Sequence, residues 1–314
     1  MTTLSQNLER YLTFRRSFGY ELAFVERVLR KFTQFADETG HSHITADLFL
    51  AWKANYGAAD NSTWAARLGM VRGFAGWLTQ HDVRTELPPS GLIVGRRTRS
   101  QPYIFAKGEI DALISAAGEL PSPYGLRALV CQTLFGLVAV TGMRISEALK
   151  LEQNDINFGC ELLSVRKSKN GKGRVIPLLS CTVDRLAIYT KERERILGPA
   201  EGTFFVKEDG TPYSDCGARY TFAQISRHIG LRQPTKYHRH GIGPRIHDLR
   251  HTFAVHTILD WFREGRDIDR EMYRLSTYLG HTKPDYTFWY IEAVPELLEL
   301  ASTRAEKRYL GGRA

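Results

Sequence analysis

The sequence predicts a mainly α-helical protein with two domains and a small antiparallel β-sheet in the second domain. Apolar residues recur at helical spacing through most of the first 80 residues. A turn-forming stretch, Leu-Pro-Pro-Ser-Gly at 87–91, then interrupts this periodicity. Further on, Asn170 and Gly171 stand between two short strands and favour a hairpin turn. We therefore expect a helical domain at 1–86, a basic linker at 87–101 and a second domain at 102–314.

The first domain is predicted to be a unit of four helices. Residues 8–12 form a short apolar face, and residues 22–36 keep helical spacing over several turns. Thr45 begins a third helix, and Asn61 or Ser62 caps a fourth. The aromatic residues follow the buried faces, so we expect them in the core. Some basic residues either contact phosphates or are only solvated: Arg15, Arg16, Arg67 and Arg72.

The second domain is predicted to place a hairpin between two groups of helices. Its expected elements are a helix opened by Lys107, a buried helix over 124–140 that ends at Gly142, a short helix over 145–151, strands at 161–166 and 174–178, and an extended piece at 204–207. Helices fill most of the remainder. The last one, an amphipathic helix over 294–310, packs either on its own domain or on a neighbouring protomer.

The composition favours a polyanionic partner and a reducing compartment. Lys and Arg number 43 and Asp and Glu 34, which gives a net charge of +9 and a pI of about 9.4. Double-stranded DNA is the commonest partner of such a protein. No apolar run is long enough for a transmembrane helix, and the start lacks the apolar core of a signal peptide. Because the four cysteines form no Cys-x-x-Cys pair, we expect a cytoplasmic protein, associated with the nucleoid when it binds DNA.

Six residues of the second domain form the candidate catalytic set: Arg144, Lys169, His247, Arg250, His281 and Tyr290. Each arginine presents a planar pair of donors that matches two phosphate oxygens. Two arginines on one phosphate would stabilise the extra negative charge of a five-coordinate transition state. No acidic cluster accompanies these residues, so we expect neither a metal nor another cofactor. For any single arginine, a plain surface charge is the alternative.

A lysine and a histidine stand at two predicted turns. Lys169 lies beside the Asn-Gly turn, where its flexible side chain could reach a DNA groove and protonate a departing 5′ oxygen as a general acid. Lys167 and Lys172 compete for this role. His281 follows a predicted helix end at 279–280, where its ring could hydrogen-bond a phosphate.

A tyrosine near the end of the domain is the candidate nucleophile. Tyr290 lies nine residues after His281, on a short helix predicted to begin near Pro284. A phenol with an unperturbed pKa near 10 attacks poorly at neutral pH. Nearby arginines would stabilise its anion, and His247 could accept its proton. Tyr286, one turn earlier, is the rival nucleophile.

In order and spacing, these residues resemble the tyrosine recombinase family, which comprises the phage integrases and the Xer-type enzymes. The matching motifs are Thr-Gly-Met-Arg-Ile-Ser-Glu at 141–147, the hairpin lysine before Arg-Val-Ile-Pro at 174–177, His-Asp-Leu-Arg-His-Thr-Phe-Ala at 247–254, Leu-Gly-His at 279–281, and Tyr290. The resemblance covers the whole second domain. The first domain is similar, with less specific motifs, to the helical core-binding domain of the family.

The resemblance implies a two-domain DNA clamp that acts as a site-specific recombinase without a metal or nucleotide cofactor. It implies cleavage through a 3′-phosphotyrosyl intermediate, release of a 5′-hydroxyl, and strand exchange through a Holliday junction held in a tetramer. Carried over to this chain, Arg144 and Arg250 would clamp the scissile phosphate. Glu147 stands where the family often has an acidic residue that orients its neighbours, although it could equally be a surface carboxylate.

The remaining roles carry over in the same way. Lys169 would be the general acid, His247 would assist proton transfer, His281 would stabilise the transition state and Tyr290 would be the nucleophile. The segments 235–244 and 261–273 are longer than in compact Xer-type members and carry extra charges. They favour a recombinase of a mobile element, active in integration, excision or transposition, with accessory recombination proteins as candidate partners.

Several other functions fit parts of the same pattern. A chromosome or plasmid dimer resolvase and a non-catalytic DNA-binding accessory subunit would share the fold. A type IB topoisomerase would share the chemistry without exchanging strands. The helix with His247 and His251 also resembles a distorted zinc-peptidase motif, in which Asp248 would replace the usual glutamate and Arg250 would bring a positive charge to the metal.

Overall fold

The structure, a computed structural model, describes residues 3–95, 101–166, 173–199, 201–234 and 241–311. It confirms a mainly helical fold with a small antiparallel sheet. The chain divides into two compact units, residues 1–100 and 101–314. Lys169 and its competitors Lys167 and Lys172 lie outside the described residues.

The elements follow one another in this order: α1 (Leu4–Ser17), α2 (Ala23–Glu38), α3 (Ala46–Asn55), α4 (Asn61–Leu78), α5 (Lys107–Gly118), α6 (Leu126–Thr141), α7 (Ile145–Ala148), a 3-10 turn (Gln153–Asp155), β1 (Ile156–Asn157), β2 (Leu162–Val165), β3 (Arg174–Pro177), α8 (Ser180–Leu197), α9 (Asp215–His228), α10 (Ile246–Arg263), α11 (Ile268–Leu279), α12 (Asp285–Ala293) and α13 (Pro295–Gly311).

Unit 1 packs α1 to α4 around one apolar core. Trp52 and Trp64 are buried in this core, with ring centroids 5.1 Å apart in an edge-to-face arrangement. The expectation that the aromatic residues are core is confirmed for these two, whereas Phe14, Phe18, Tyr20 and Phe24 are exposed. The cap predicted at Thr45 is confirmed, because its side chain accepts a hydrogen bond from the Leu48 amide at 3.1 Å. The cap predicted for α4 is wrong by one residue. Asp60 caps this helix, because its carboxylate accepts from the Thr63 amide at 2.6 Å.

The residues that follow α4 pack back onto unit 1. Leu92 and Ile93 contact its core, and the guanidinium of Arg72 donates a hydrogen bond to the carbonyl oxygen of Pro88. The stretch up to residue 95 is therefore ordered against the first unit. The basic run of the predicted linker, residues 96–99, lies outside the described residues.

Unit 2 is built around α6, whose buried side chains face α5, α8 and α10. The sheet has the order β1-β2-β3, all antiparallel, with Leu163 opposite Ile176 and both side chains fully buried. The predicted end of α6 is confirmed, because Gly142 adopts a left-handed φ of +61°. A Cβ at this position would come within 2.4 Å of the Phe253 ring, so the close approach of α10 also requires glycine.

A second apolar cluster of unit 2 joins α10, α11, α12 and α13. The helix predicted from Pro284 is confirmed as α12, and the predicted C-terminal helix as α13. Leu297 on α13 is fully buried, and α13 contacts α10 and α12 of the same chain. The segment 261–273 forms the end of α10, a turn and the start of α11. No helix in the described part of the chain has the length and apolarity needed to span a bilayer.

Candidate active site

Arg250 is the most deeply placed residue of the candidate set. Ile246 and Leu249 turn into the core, and this arrangement carries Arg250 on α10 into the protein, where it is 1% exposed. Its guanidinium donates to the carbonyl oxygen of Gly142 at 2.9 Å and to that of Leu279 at 2.7 Å. These oxygens belong to the C-terminal ends of α6 and α11, where the helix dipoles place partial negative charge. Burial, and after it the charge of Arg144, lowers the Arg250 pKa to about 10, so the group is still cationic at neutral pH.

Arg144 reaches the same corner from the other side. It is the N-cap residue of α7, in extended conformation, two residues after the Gly142 cap. Its guanidinium donates to the Gly280 carbonyl oxygen at 3.1 Å and to Glu147 Oε1 at 2.8 Å. The structure therefore brings both predicted arginines to the turn at 279–280, next to the predicted His281.

Glu147 is a buried bridging carboxylate and not a surface one. It is 8% exposed and accepts hydrogen bonds from the Arg144 amide at 2.9 Å and from Arg174 Nη2 at 2.7 Å. Burial alone would raise the pKa of Glu147, but the bonds from Arg174 and from the Arg144 amide outweigh that effect and lower it to about 2. Glu147 thus links the first predicted arginine to strand β3.

Arg174 is a site residue that the sequence argument overlooked as an individual group. It opens β3 and lies within hydrogen-bonding distance of both Glu147 oxygens, with Nη1 3.1 Å from Oε1. Its position in the motif at 174–177, directly after a lysine-rich hairpin, was the available signal. The contact with Glu147, 27 residues away, could not be inferred from local spacing.

Gly280 lets Arg174 and Arg144 approach the backbone of the turn at 279–280. It caps α11 with a left-handed φ of +67°. A Cβ here would lie 3.0 Å from Arg174 Nη1 and 3.7 Å from Arg144 Nη1. Any other residue would therefore combine backbone strain with crowding of the Arg174 guanidinium.

His247 is partly exposed at the start of α10. The surrounding protein nevertheless removes enough water from the ring to lower its pKa to about 4, and the charges of Arg250 and Arg144 add to this effect. At neutral pH the ring is uncharged and offers one donor and one acceptor. An anion bound between the arginines would oppose these cations and raise the pKa of His247.

His281 is held by a buried threonine. Its Nδ1 lies 2.7 Å from Thr287 Oγ1, and Thr287 is fully buried on α12. The Thr287 amide donates to the Pro284 carbonyl oxygen at 2.7 Å. This chain of contacts orients the imidazole and ties it to the helix that carries Tyr290.

Tyr290 is 2% exposed, and its phenol points into the protein. Its hydroxyl lies 3.1 Å from Nδ1 of His251, a residue that the sequence argument named only in connection with a zinc site. An ionised Tyr290 would raise the pKa of Arg250, so the two charges favour one another. Tyr286, the rival nucleophile, is 44% exposed, and its ring centroid lies 6.2 Å from that of His281.

Ion pairs hold the chain on either side of the segment 167–172, which includes Lys169 and lies outside the described residues. Val165 and Arg174 are the last described strand partners on its two sides. Arg166 contacts Asp155, which is 3% exposed, and donates to Glu152 at 2.5 Å, while Arg174 binds Glu147. The two strands that enter and leave the lysine-rich segment are therefore anchored to the domain.

Unit 1 contributes a separate basic groove of about 670 Å³ between α2 and α4. The positively charged residues that line it are Arg27, Lys31 and Arg67. Arg67 lies 4.5 Å from the Trp64 ring centroid and 4.8 Å from that of Tyr56, so cation–π contacts hold it in place. Of the other basic residues considered from sequence, Arg16 pairs with Glu26.

The described part of the chain contains no group of three or more His, Cys, Asp and Glu side chains placed to hold a metal ion. The two histidines of the zinc-peptidase alternative are instead edge-on neighbours with ring centroids 4.6 Å apart. One of them, His251, faces the phenol of Tyr290.

Comparison with known proteins shows the family and the fold. A model of the phage integrase family matches residues 104–296. The protein y4rB of Sinorhizobium fredii, named as an integrase/recombinase, is 38% identical over 314 residues, which cover 98% of this chain and 99% of that protein. The Tn1549 transposon integrase in complex with transposon right end DNA has a TM-score of 0.67 and 16% identity, covering 98% of this chain and 99% of that one. A lambda integrase tetramer bound to a Holliday junction has a TM-score of 0.61 and 17% identity, covering 90% and 79%.

Proposed function

Because the chain belongs to the phage integrase family of tyrosine recombinases, we propose that it cleaves and rejoins double-stranded DNA at specific sites through a covalent 3′-phosphotyrosyl intermediate on Tyr290. The observation that carries the proposal is the convergence of Arg144 and Arg250 on the turn that precedes His281. A phosphate bound there would meet two fixed cations and a histidine oriented by Thr287.

In this reaction the arginines stabilise charge that develops on the phosphate. Attack by the Tyr290 oxygen makes a five-coordinate phosphorus, and preorganised guanidinium groups stabilise the additional charge on its oxygens. Their own orientation is already set by the carbonyl oxygens of α6 and α11 and by Glu147, so little reorganisation is needed during the step. Lys169 then donates a proton to the departing 5′ oxygen, which leaves as a hydroxyl.

The proposed function also implies contacts to DNA from unit 1 and strand exchange between protomers. The basic groove of unit 1 would contact the DNA backbone through Arg27, Lys31 and Arg67. Four protomers on two duplexes would exchange strands through a Holliday junction, in keeping with the lambda integrase tetramer that is bound to such a junction. A mobile element is the proposed biological setting, in keeping with the integrase/recombinase name of the relative that is 38% identical.

Covalent trapping tests the proposal. Nicked duplexes that tile the DNA flanking the gene would be incubated with the wild-type protein, Tyr290→Phe and Tyr286→Phe, with a chelator present, and separated on a denaturing gel. We expect a protein–DNA band with wild type and Tyr286→Phe that is lost in Tyr290→Phe. A band that persists in Tyr290→Phe and disappears in Tyr286→Phe would move the nucleophile. Binding without any band would indicate a non-catalytic accessory subunit.

A further inference from the structure

We propose that His251 accepts the phenolic proton of Tyr290 when this oxygen attacks the DNA phosphate. The inference rests on the proposed function and adds a catalytic residue to it. His251 lies one helical turn after His247 on α10, so the two imidazoles share a face of that helix.

The geometry suits proton transfer. His251 Nδ1 and the Tyr290 hydroxyl oxygen are 3.1 Å apart, within the range in which a general base can take a proton directly. The two ring centroids are 5.5 Å apart, and Trp289 packs against the same imidazole at 5.7 Å. His251 is only 8% exposed, so the contact lies in a setting with little competing water.

His247 is better suited to a different task. It stands at the exposed start of α10. Its neutral ring can instead donate a hydrogen bond to a phosphate oxygen. The His251 ring contacts both of the others, with its centroid 4.6 Å from that of His247 and 5.5 Å from that of Tyr290.

In cleavage, His251 carries its proton on Nε2, and its Nδ1 takes the proton from the Tyr290 hydroxyl. The Tyr290 oxygen forms a bond to phosphorus, the bond from phosphorus to the 5′ oxygen breaks, and that oxygen takes a proton from the general acid. In religation the deprotonated general acid takes the proton of the 5′-hydroxyl, whose oxygen attacks phosphorus. The phosphotyrosyl bond breaks, and protonated His251 returns its proton to Tyr290. One residue therefore serves both directions of the exchange.

Single-turnover cleavage of the nicked duplex that traps the wild-type protein tests this role. The variants are His251→Gln, which keeps a hydrogen-bonding side chain without a basic nitrogen, and His251→Ala, with and without added imidazole. His256→Ala, on the same helix, is the matched control. Thermal unfolding and DNA binding of each variant show that it is folded.

We expect His251→Gln to bind DNA normally and to cleave about 10²- to 10⁴-fold more slowly, the usual contribution of a positioned base. Added imidazole should restore cleavage by His251→Ala at least about tenfold and in a saturable manner, because the missing group is a proton acceptor. It should not restore Tyr290→Phe or change His256→Ala.

Wild-type or faster cleavage by His251→Gln would overturn the assignment, and faster cleavage would show instead that the hydrogen bond stores Tyr290 in an inactive position. A folded, DNA-binding His251→Ala variant that imidazole leaves inactive would also overturn it. These results differ from failure of the proposed function, in which the wild-type protein itself traps no DNA.

Discussion

Replacing Glu147 with glutamine should destabilise unit 2 and weaken DNA cleavage. The substitution keeps the shape of the side chain and removes the negative charge that lies between Arg144 and Arg174. Both arginines would then face each other across a neutral amide, and removal of one partner from a buried ion pair is strongly destabilising.

The size of the destabilisation follows from the shifted pKa of the Glu147 carboxyl. Lowering its pKa from 4.5 to about 2 corresponds to about 3 kcal/mol in favour of the ionised folded form. For a unit of this size, a loss of that order lowers the melting temperature by roughly 6–12 °C. Because the folded pKa is depressed, this stabilisation is present in full above the unfolded pKa and is lost as the pH falls from about 5 toward 2. At pH 3 only about half of it should remain.

Thermal unfolding at pH 7 and at pH 3 measures both effects. Glu194→Gln, which removes an exposed carboxylate from α8, is the control and should change the melting temperature little. We expect the gap between wild type and Glu147→Gln to be large at pH 7 and to shrink by about half at pH 3. Equal melting temperatures at pH 7, or a gap of the same size at both pH values, would refute the reasoning.

Three further predictions concern the turn, the first histidine and the hairpin. Gly280→Ala should lower both the melting temperature and the cleavage rate more than the control Gly265→Ala. The angle φ is nearly the same at the two positions, +67° and +68°, but only at Gly280 does the new Cβ meet a guanidinium. Similar losses for the two variants in unfolding and cleavage assays would contradict this. The His247 ring should titrate near pH 4 in NMR spectra of the free protein and at higher pH once duplex DNA is bound. A titration midpoint near 6.5 without DNA would refute the position of this ring beside Arg250 and Arg144. Lys169→Ala should slow cleavage far more than it weakens DNA binding. A sulfur in place of the bridging 5′ oxygen of the DNA should restore the cleavage rate of this variant, because a thiolate leaves without protonation. Equal losses of binding and cleavage would make the lysine a phosphate contact only.

The sequence predicted elements whose signals are local. Helical spacing located the four helices of unit 1 and the helix α6 of unit 2, and a glycine after an apolar run marked the end of α6. The helices α8 and α9 were expected only in general, as part of a mostly helical remainder. The cap of α4 was placed one residue late because Asp60, Asn61 and Ser62 are all good capping residues, and only the backbone conformation distinguishes them. Strand β1 was not predicted, since two residues are too short to show an alternating pattern.

Residues that act through distant partners were not predicted in their roles. His251 contacts a phenol 39 positions away, and Arg174 binds a carboxylate 27 positions away. Thr287 drew no attention because a lone threonine on a short helix carries no pattern, yet it orients His281. Its place in the motif made His247 the expected proton acceptor, whereas the fold places His251 beside the Tyr290 hydroxyl.

The sequence by itself determined the helical fold, the family and the six candidate residues, because periodicity, glycine caps and short motifs are local properties of the chain. Only the tertiary structure decided how these residues meet. Arg250 is bound to the end of a helix 108 positions earlier, and Arg144 to a turn 136 positions later. Such contacts depend on how α6, α10 and α11 pack against one another. They form because buried guanidinium groups require acceptors, and the C-terminal carbonyl oxygens of packed helices supply them.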